Sequence, residues 1–443
     1  MNKFFGDEVI LGNTTAVKLY KEVKNLPIID YHCHLSPKQL SENISFENIG
    51  QLWLEGDHYK WRVMRICGVD EKYITGDATF YEKFMELARI MPMIVGNAVY
   101  YWANFELKQI FGINKPLDSK SADEIWNKCN EKLKDINVST ILNQFNVEFV
   151  ATTDDPIDNL EYHGVIAKTI VTPTFRPDKA FSLVDDYYKK LSIVSGIEIN
   201  SVDDLIRALE IRFDYFITKG CKISDHGLGA IPEFCEIKEA REIFNNRNNG
   251  LSDSQKEKFV GFMLTEMARM CKKRNVVMQW HFSALRNINS IMANKIGVDS
   301  GFDVFGDVII AKNLTNLFDY LNKNGNLPKV ILYTLNPNAE KLICTISGAF
   351  PNVRIGTAWW FNDTLEGTRQ HIKTVMEYAV LGVHLGMLTD SRSFTSYVRH
   401  DFFRRILANE IGSLVEKGEY DYSNAVVLMK NISYYNIKNY LGV

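Results

Sequence analysis

Pro27-Ile28-Ile29-Asp30-Tyr31-His32-Cys33-His34 is the stretch on which the reading of this chain turns. A proline admits a short β-rich apolar run, and the run ends in two histidines one residue apart. Such a run reads as a buried parallel strand. Side chains alternate along a strand, so His32 and His34 are expected on one face with Asp30, and Cys33 on the other as a buried structural thiol. Two imidazoles converging from one strand make half of a zinc-type site. Taken alone, His-x-His more often serves packing or hydrogen bonding.

Seven further runs have the same character: 147–153, 169–175, 221–225, 276–282, 330–335, 353–360 and 385–390. Stretches with helical periodicity separate most of them, as in Phe259, Phe262, Met263, Met267 and Met270, or Phe394, Val398, Phe402 and Ile406. Eight strands alternating with helices predict a (β/α)8 barrel of the TIM type. The competing open sheet for a dinucleotide lacks its Gly-x-Gly-x-x-Gly signal. The first and second runs lie too far apart for one helix. Residues 1–34 therefore read as an N-terminal segment and first strand, 35–146 as a helical insertion capping the barrel, and 147–443 as the rest of it, a distorted barrel overall.

In a closed barrel the last strand lies beside the first, which would bring Asp390 of Thr389-Asp390-Ser391-Arg392 to the histidine pair. A carboxylate there can hold a cation or move a proton. Asp390 could instead cap the helix that follows. If the strand stays extended, Arg392 shares the face of Asp390. Gln279-Trp280-His281-Phe282 offers His281 as a further ligand or acid, and His226 is a weaker candidate of the same kind. Arg176 and Arg392 sit at strand ends, where planar guanidinium groups suit a carboxylate ligand. Gly56-Asp57-His58-Tyr59-Lys60-Trp61-Arg62 concentrates acid–base side chains in what reads as a loop of the insertion.

The 443 residues carry a net charge of −3, with 46% hydrophobic and 24% charged residues. No nucleic-acid partner is expected without a basic excess. The seven cysteines form no Cys-x-x-Cys pair, as in reduced core thiols. Met1–Glu8 has no apolar core of a signal peptide, and no run is long enough to span a membrane. A cytoplasmic protein is the expectation.

These motifs are similar to those of the uronate (glucuronate) isomerases, a branch of the amidohydrolase superfamily. The resemblance runs along nearly the whole chain. It rests on residues 27–37, Trp53 to Arg62, Ala151 to Pro156, Pro173 to Asp178, Ser224 to Leu228, Gln279 to Phe282, Ala358 to Asp363 and Met387 to Phe394. It departs at Ala98, Tyr101, Ala103 and Asn104, where the family pattern has a proline and two histidines. The resemblance implies a distorted barrel with one divalent ion, zinc by expectation, held by His32, His34 and Asp390, with His281 as a fourth ligand. It implies that His58, Tyr59, Arg176, Arg392, Trp359 and Trp360 face a small hexuronate. The reaction implied converts D-glucuronate to D-fructuronate and D-galacturonate to D-tagaturonate through a cis-enediol. Asp390 or Tyr59 would move the carbon-bound proton, with His58 assisting at oxygen. Two alternatives stay open: a metal-dependent hydrolase or lactonase, and a non-catalytic sugar-acid binder. Assembly into a homo-oligomer is compatible with the sequence but not specified by it.

Overall fold

The computed structural model describes residues 3–307 and 311–443. The first two residues of the N-terminal segment thus lie outside the described residues. The strands, in chain order, are β1 Ile28–Asp30, β2 Val147–Ala151, β3 Gly164–Ile166, β4 Thr169–Thr172, β5 Ile223–Gly227, β6 Val277–Phe282, β7 Ala284–Leu285, β8 Val304–Phe305, β9 Val330–Thr334 and β10 Val353–Ile355. They form one sheet in the order β1-β2-β4-β3 and another in the order β10-β9-β6-β5. All pairings are parallel except the edge strand β3 and the short β7–β8 pair.

Phe175, just beyond β4, joins the two sheets. It bridges in parallel to Asp154 on one side and Ser224 on the other. Its N–H donates to the Ile223 carbonyl and its own carbonyl accepts from Asp225, each at 3.0 Å. Both faces are buried, which is why the strands are so apolar. One face gathers Ile29, Tyr31, Phe149, Ile223, Val277, Ile331 and Tyr333. The other packs on helices, through Ile28, Val147, Val150 and Val171 in one cluster and Met278, Trp280 and Leu332 in another.

Seven of the eight expected runs contain a strand; 385–390 does not. Two backbone bonds still tie it to the first run. Asp390 N–H donates to the His32 carbonyl at 3.0 Å, and His34 N–H to the Ser391 carbonyl at 2.9 Å. A regular parallel ladder would return the second bond to Asp390 itself. The one-residue slip falls where Asp390 takes φ 44°, in the left-handed region. Extended geometry therefore stops at Asp390, contrary to the expectation that Arg392 continues it. The first run also leaves its ladder early, after Asp30.

The segment between β1 and β2 is helical, with Pro37–Ser41, Ile49–Leu54, His58–Ile66, Phe80–Ile90, Ala98–Gln109, Ala122–Leu133 and Val138–Gln144. The helix Asp253–Arg274 starts as its periodicity predicts, with Ser252 and Gln255 forming a reciprocal cap. No helix is long and apolar enough to cross a membrane among the described residues. All seven cysteines are free, and Cys33 is fully buried.

Candidate active site

The ends of β1, β5 and β6 and the 385–392 run converge on a cavity of about 410 Å³. It is lined by His32, His34, His58, Thr153, Arg176, Gly227, His281, Arg286, Asp299, Asp303, Trp359, Trp360, Asp390 and Arg392. Asp390 is its focus. One carboxylate oxygen lies 3.2 Å from His32 Nε2 and 3.1 Å from His34 Nε2. The other accepts from Trp359 Nε1 at 2.7 Å. Burial would raise the carboxyl pKa, but His32 and His34 outweigh it and hold Asp390 well below the usual carboxylate range. Capping of the following helical turn falls to Ser393, which accepts from Thr395 N–H, so Asp390 is free of that duty.

Beneath this lies a second cluster. His281 Nδ1 is 2.7 Å from Asp225 Oδ1, and the His281 ring stacks on His32 with centroids 4.6 Å apart. Arg176 Nη1 reaches Asp225 Oδ2 at 3.2 Å while its Nε meets Asp178 at 3.1 Å. Gly227 makes room for that arginine, since a Cβ there would fall 2.2 Å from Arg176 Nη2. Burial opposes ionisation of Asp225, yet His32, Arg176 and His281 push its pKa well down. His226 alternates away from the cavity, bonding Ser224 and Asp178.

The donor set suits a divalent cation. His32, His34 and Asp390 present ligand atoms within 4.8 Å of one another, and so do His32, Asp225 and His281. His32 Nδ1 and His281 Nε2 are buried without a hydrogen-bond partner. A histidine whose Nδ1–H is taken by a carboxylate leaves Nε2 free as a ligand, which is how metal-binding imidazoles are commonly oriented.

Asp30 does not join the histidines as alternation predicts. Its carboxylate is taken by Thr389, accepting from N–H at 2.8 Å and from Oγ1 at 2.6 Å. The residues 56–62 are not all loop: Asp57 caps the helix His58–Ile66, accepting from Tyr59 and Lys60 N–H. His58 lines the cavity, and burial together with Arg392 lowers its pKa to about 4. Tyr59 stands just behind, its ring 4.6 Å from His58, and burial keeps its phenol protonated. Arg392 is exposed at the mouth and has no carboxylate partner among the described residues. Asp225, Arg286, Asp299 and Asp303 escaped the sequence reading. For Asp225 the signal was present, two residues before Gly227 on a strand whose end points at the site. Arg286, Asp299 and Asp303 come from the segment around β7 and β8, which has no periodicity to announce it. Arg286 lies 3.7 Å from each of those carboxylates, over the Trp360 ring at 5.2 Å.

Parallel sheets with a His/Asp cluster at the strand ends define an α/β enzyme with a candidate cation centre. Comparison with known proteins narrows this. The glucuronate isomerase family profile matches residues 1–441. A uronate isomerase of Clostridium perfringens is 41% identical over 465 aligned positions, covering 99% of both chains. One from Caldanaerobacter subterraneus is 43% identical over the whole of both chains. The crystal structure of the Thermotoga maritima uronate isomerase superposes with a TM-score of 0.96 at 34% identity, over 99% of this chain and 100% of that one. The chain belongs to the glucuronate isomerase family, and it is an isomerase.

Proposed function

We propose that the chain interconverts D-glucuronate with D-fructuronate, and D-galacturonate with D-tagaturonate, in the 410 Å³ cavity. The observation that carries this reading is Asp390, an ionised carboxylate at the focus of a cavity that also holds Arg176, Arg286 and Arg392. Arg392, free of carboxylates, is suited to grip the substrate carboxylate. Arg176 is committed to Asp178 and Asp225, which fix its guanidinium at the cavity wall. Aldose–ketose exchange moves one proton between C2 and C1 through a cis-enediol. Asp390 takes that proton on one carbon and returns it to the other. His58, neutral above about pH 4, can accept and hand back a hydroxyl proton. Tyr59, behind His58 and held as a phenol by burial, is not the base. Trp359 and Trp360 wall the cavity against water.

A divalent cation, with zinc as the expectation from its nitrogen and oxygen donors, would be held by His32, His34 and Asp390, with His281 as a further ligand. Bound there, it would supply polarisation of a substrate oxygen. The strand order, continued by the 385–391 contacts with 32–34, supports closure as a distorted (β/α)8 barrel. Residues 1–34 would supply its first strand and 147–443 its remainder. The helices of 35–146 would act as a cap, since His58 reaches the cavity from them. Free cysteines support a reducing cytoplasm.

The test is ketose formation from each uronate. Ketose should appear with the parent and fall by about 10²-fold or more with Asp390→Asn, as expected for a lost general acid–base group. Hydrolysis of lactones or amides without ketose would favour the hydrolase instead.

A further inference from the structure

Arg399 belongs to no motif in the sequence and does not line the cavity, yet it touches both sides of the site. It sits in the first turn of the helix Val398–Glu416 and is only 2% exposed. Its Nη1 donates to the Thr389 carbonyl at 2.8 Å, the peptide oxygen just before Asp390. Its guanidinium lies 3.7 Å from the Trp102 ring centroid and 4.9 Å from that of Tyr59, both on helices of the 35–146 segment. Asp363 Oδ2, three residues beyond Trp360, lies 3.7 Å away.

A fully buried guanidinium is costly unless it is compensated. Here the compensation is spread over several groups. Nε has no hydrogen-bond partner, and the Asp363 contact is longer than a hydrogen bond. Burial also raises the Asp363 pKa to about 7, so that carboxyl is partly neutral near neutral pH. Two aromatic faces, one carbonyl and the fields of Asp363, Asp57 and Asp390 hold the charge, and together they raise the Arg399 pKa against burial. Removing it alone would leave the buried Thr389 carbonyl and the neighbouring carboxylates uncompensated, so its loss costs stability as well as position.

What Arg399 does hold is a strained peptide. Asp390 is in the left-handed region at φ 44°, a conformation worth of order 1–3 kcal/mol in strain that persists only when its surroundings over-determine it. Every polar group at that peptide is engaged. Thr389 N–H and Oγ1 go to Asp30, Thr389 O to Arg399 and Asp390 N–H to His32 O. Arg399 is the link that also leads to Tyr59 and Trp102.

We propose that Arg399 is a positioning residue: it locks the Thr389–Asp390 peptide to the Tyr59–Trp102 face, fixing Asp390 and the His58–Tyr59 helix relative to each other. The inference rests on the isomerase reading of the cavity. Arg399→Lys keeps the charge and loses the planar fork; Arg399→Met keeps volume and loses both. In variants that melt as cooperatively as the parent, kcat should fall by about tenfold or more in Arg399→Lys and further in Arg399→Met, as for a misplaced catalytic group, while KM stays within about threefold. If neither variant folds, Trp102→Phe, which shrinks the aromatic platform, should show the same split. A folded variant with unchanged kcat, or one whose loss lies wholly in KM, overturns the proposal. A parent that forms no ketose would overturn the isomerase reading and this proposal together, whereas an active parent with an unaffected Arg399→Lys overturns this proposal alone.

Discussion

The Asp30 carboxylate accepts both the backbone N–H and the hydroxyl of Thr389, binding the first strand to the residue before Asp390. Asp30 is fully buried, and burial pushes its pKa to about 6 against the pull of those two bonds. Asp30→Leu removes both acceptor oxygens and leaves the buried Thr389 N–H without a partner. Thermal unfolding should show a loss of about 1–3 kcal/mol, the cost of a buried donor left unpaired. Turnover should fall with it, because the peptide carrying Asp390 loosens.

Trp359 donates to Asp390 through Nε1 at 2.7 Å, and its ring packs on His281. Trp359→Phe keeps most of the packing and removes the donor. Hydrogen bonds to charged groups contribute about 1.5–3 kcal/mol. Steady-state kinetics should show a fall of about tenfold in kcat, alongside a loss of about 1.5–3 kcal/mol in stability. A fall in stability without a fall in kcat would assign Trp359 to packing.

Folded His58 titrates near 4, while a free imidazole titrates at 6.5. Between these values the unfolded chain binds more protons, so unfolding is favoured as the pH drops. The contribution of His58 is fully present above pH 6.5 and is lost progressively towards pH 4. Its size is on the order of 3 kcal/mol, by the usual conversion of pKa differences. Denaturant titrations at pH 7 and pH 4.5 should show the parent losing more stability than His58→Gln over that interval.

A cation held by the folded His/Asp cluster should raise the melting temperature with the logarithm of its concentration relative to its dissociation constant. At a hundredfold excess over its dissociation constant, the gain is about 2.7 kcal/mol. Zinc added to chelator-treated protein should produce that shift in the parent. His32→Asn should abolish it, because His32 belongs to both candidate ligand groups. An equal shift in the variant would place the cation elsewhere.

Most strands and the meeting of His32, His34 and Asp390 were legible because they depend on short apolar runs and on which run comes last. Asp30 was misplaced for a physical reason. Alternation holds only while a ladder enforces it, and the ladder ends at Asp30 itself. The left-handed turn at Asp390 left no trace either, since aspartate is not glycine and tertiary bonds impose the conformation. The residues 56–62 carried the correct side chains but the wrong local structure: Asp57 was a helix cap hidden among other polar residues. Arg399 was invisible because its partners are a carbonyl and two rings from remote segments. No spacing within one segment encodes such a contact.

The Asp30–Thr389 bond also sets an order of events during synthesis. Its partners are 359 residues apart, and the helix Thr14–Val23 similarly awaits the helix Val398–Glu416, which it meets through Thr15 and Glu416. At roughly 5–20 residues per second on the ribosome, one side of β1 spends tens of seconds without its final neighbour. The two histidines emerge almost first and their carboxylate almost last. A nascent chain therefore carries an open seam beside its future catalytic centre, and a chain interrupted before residue 390 would have no working site.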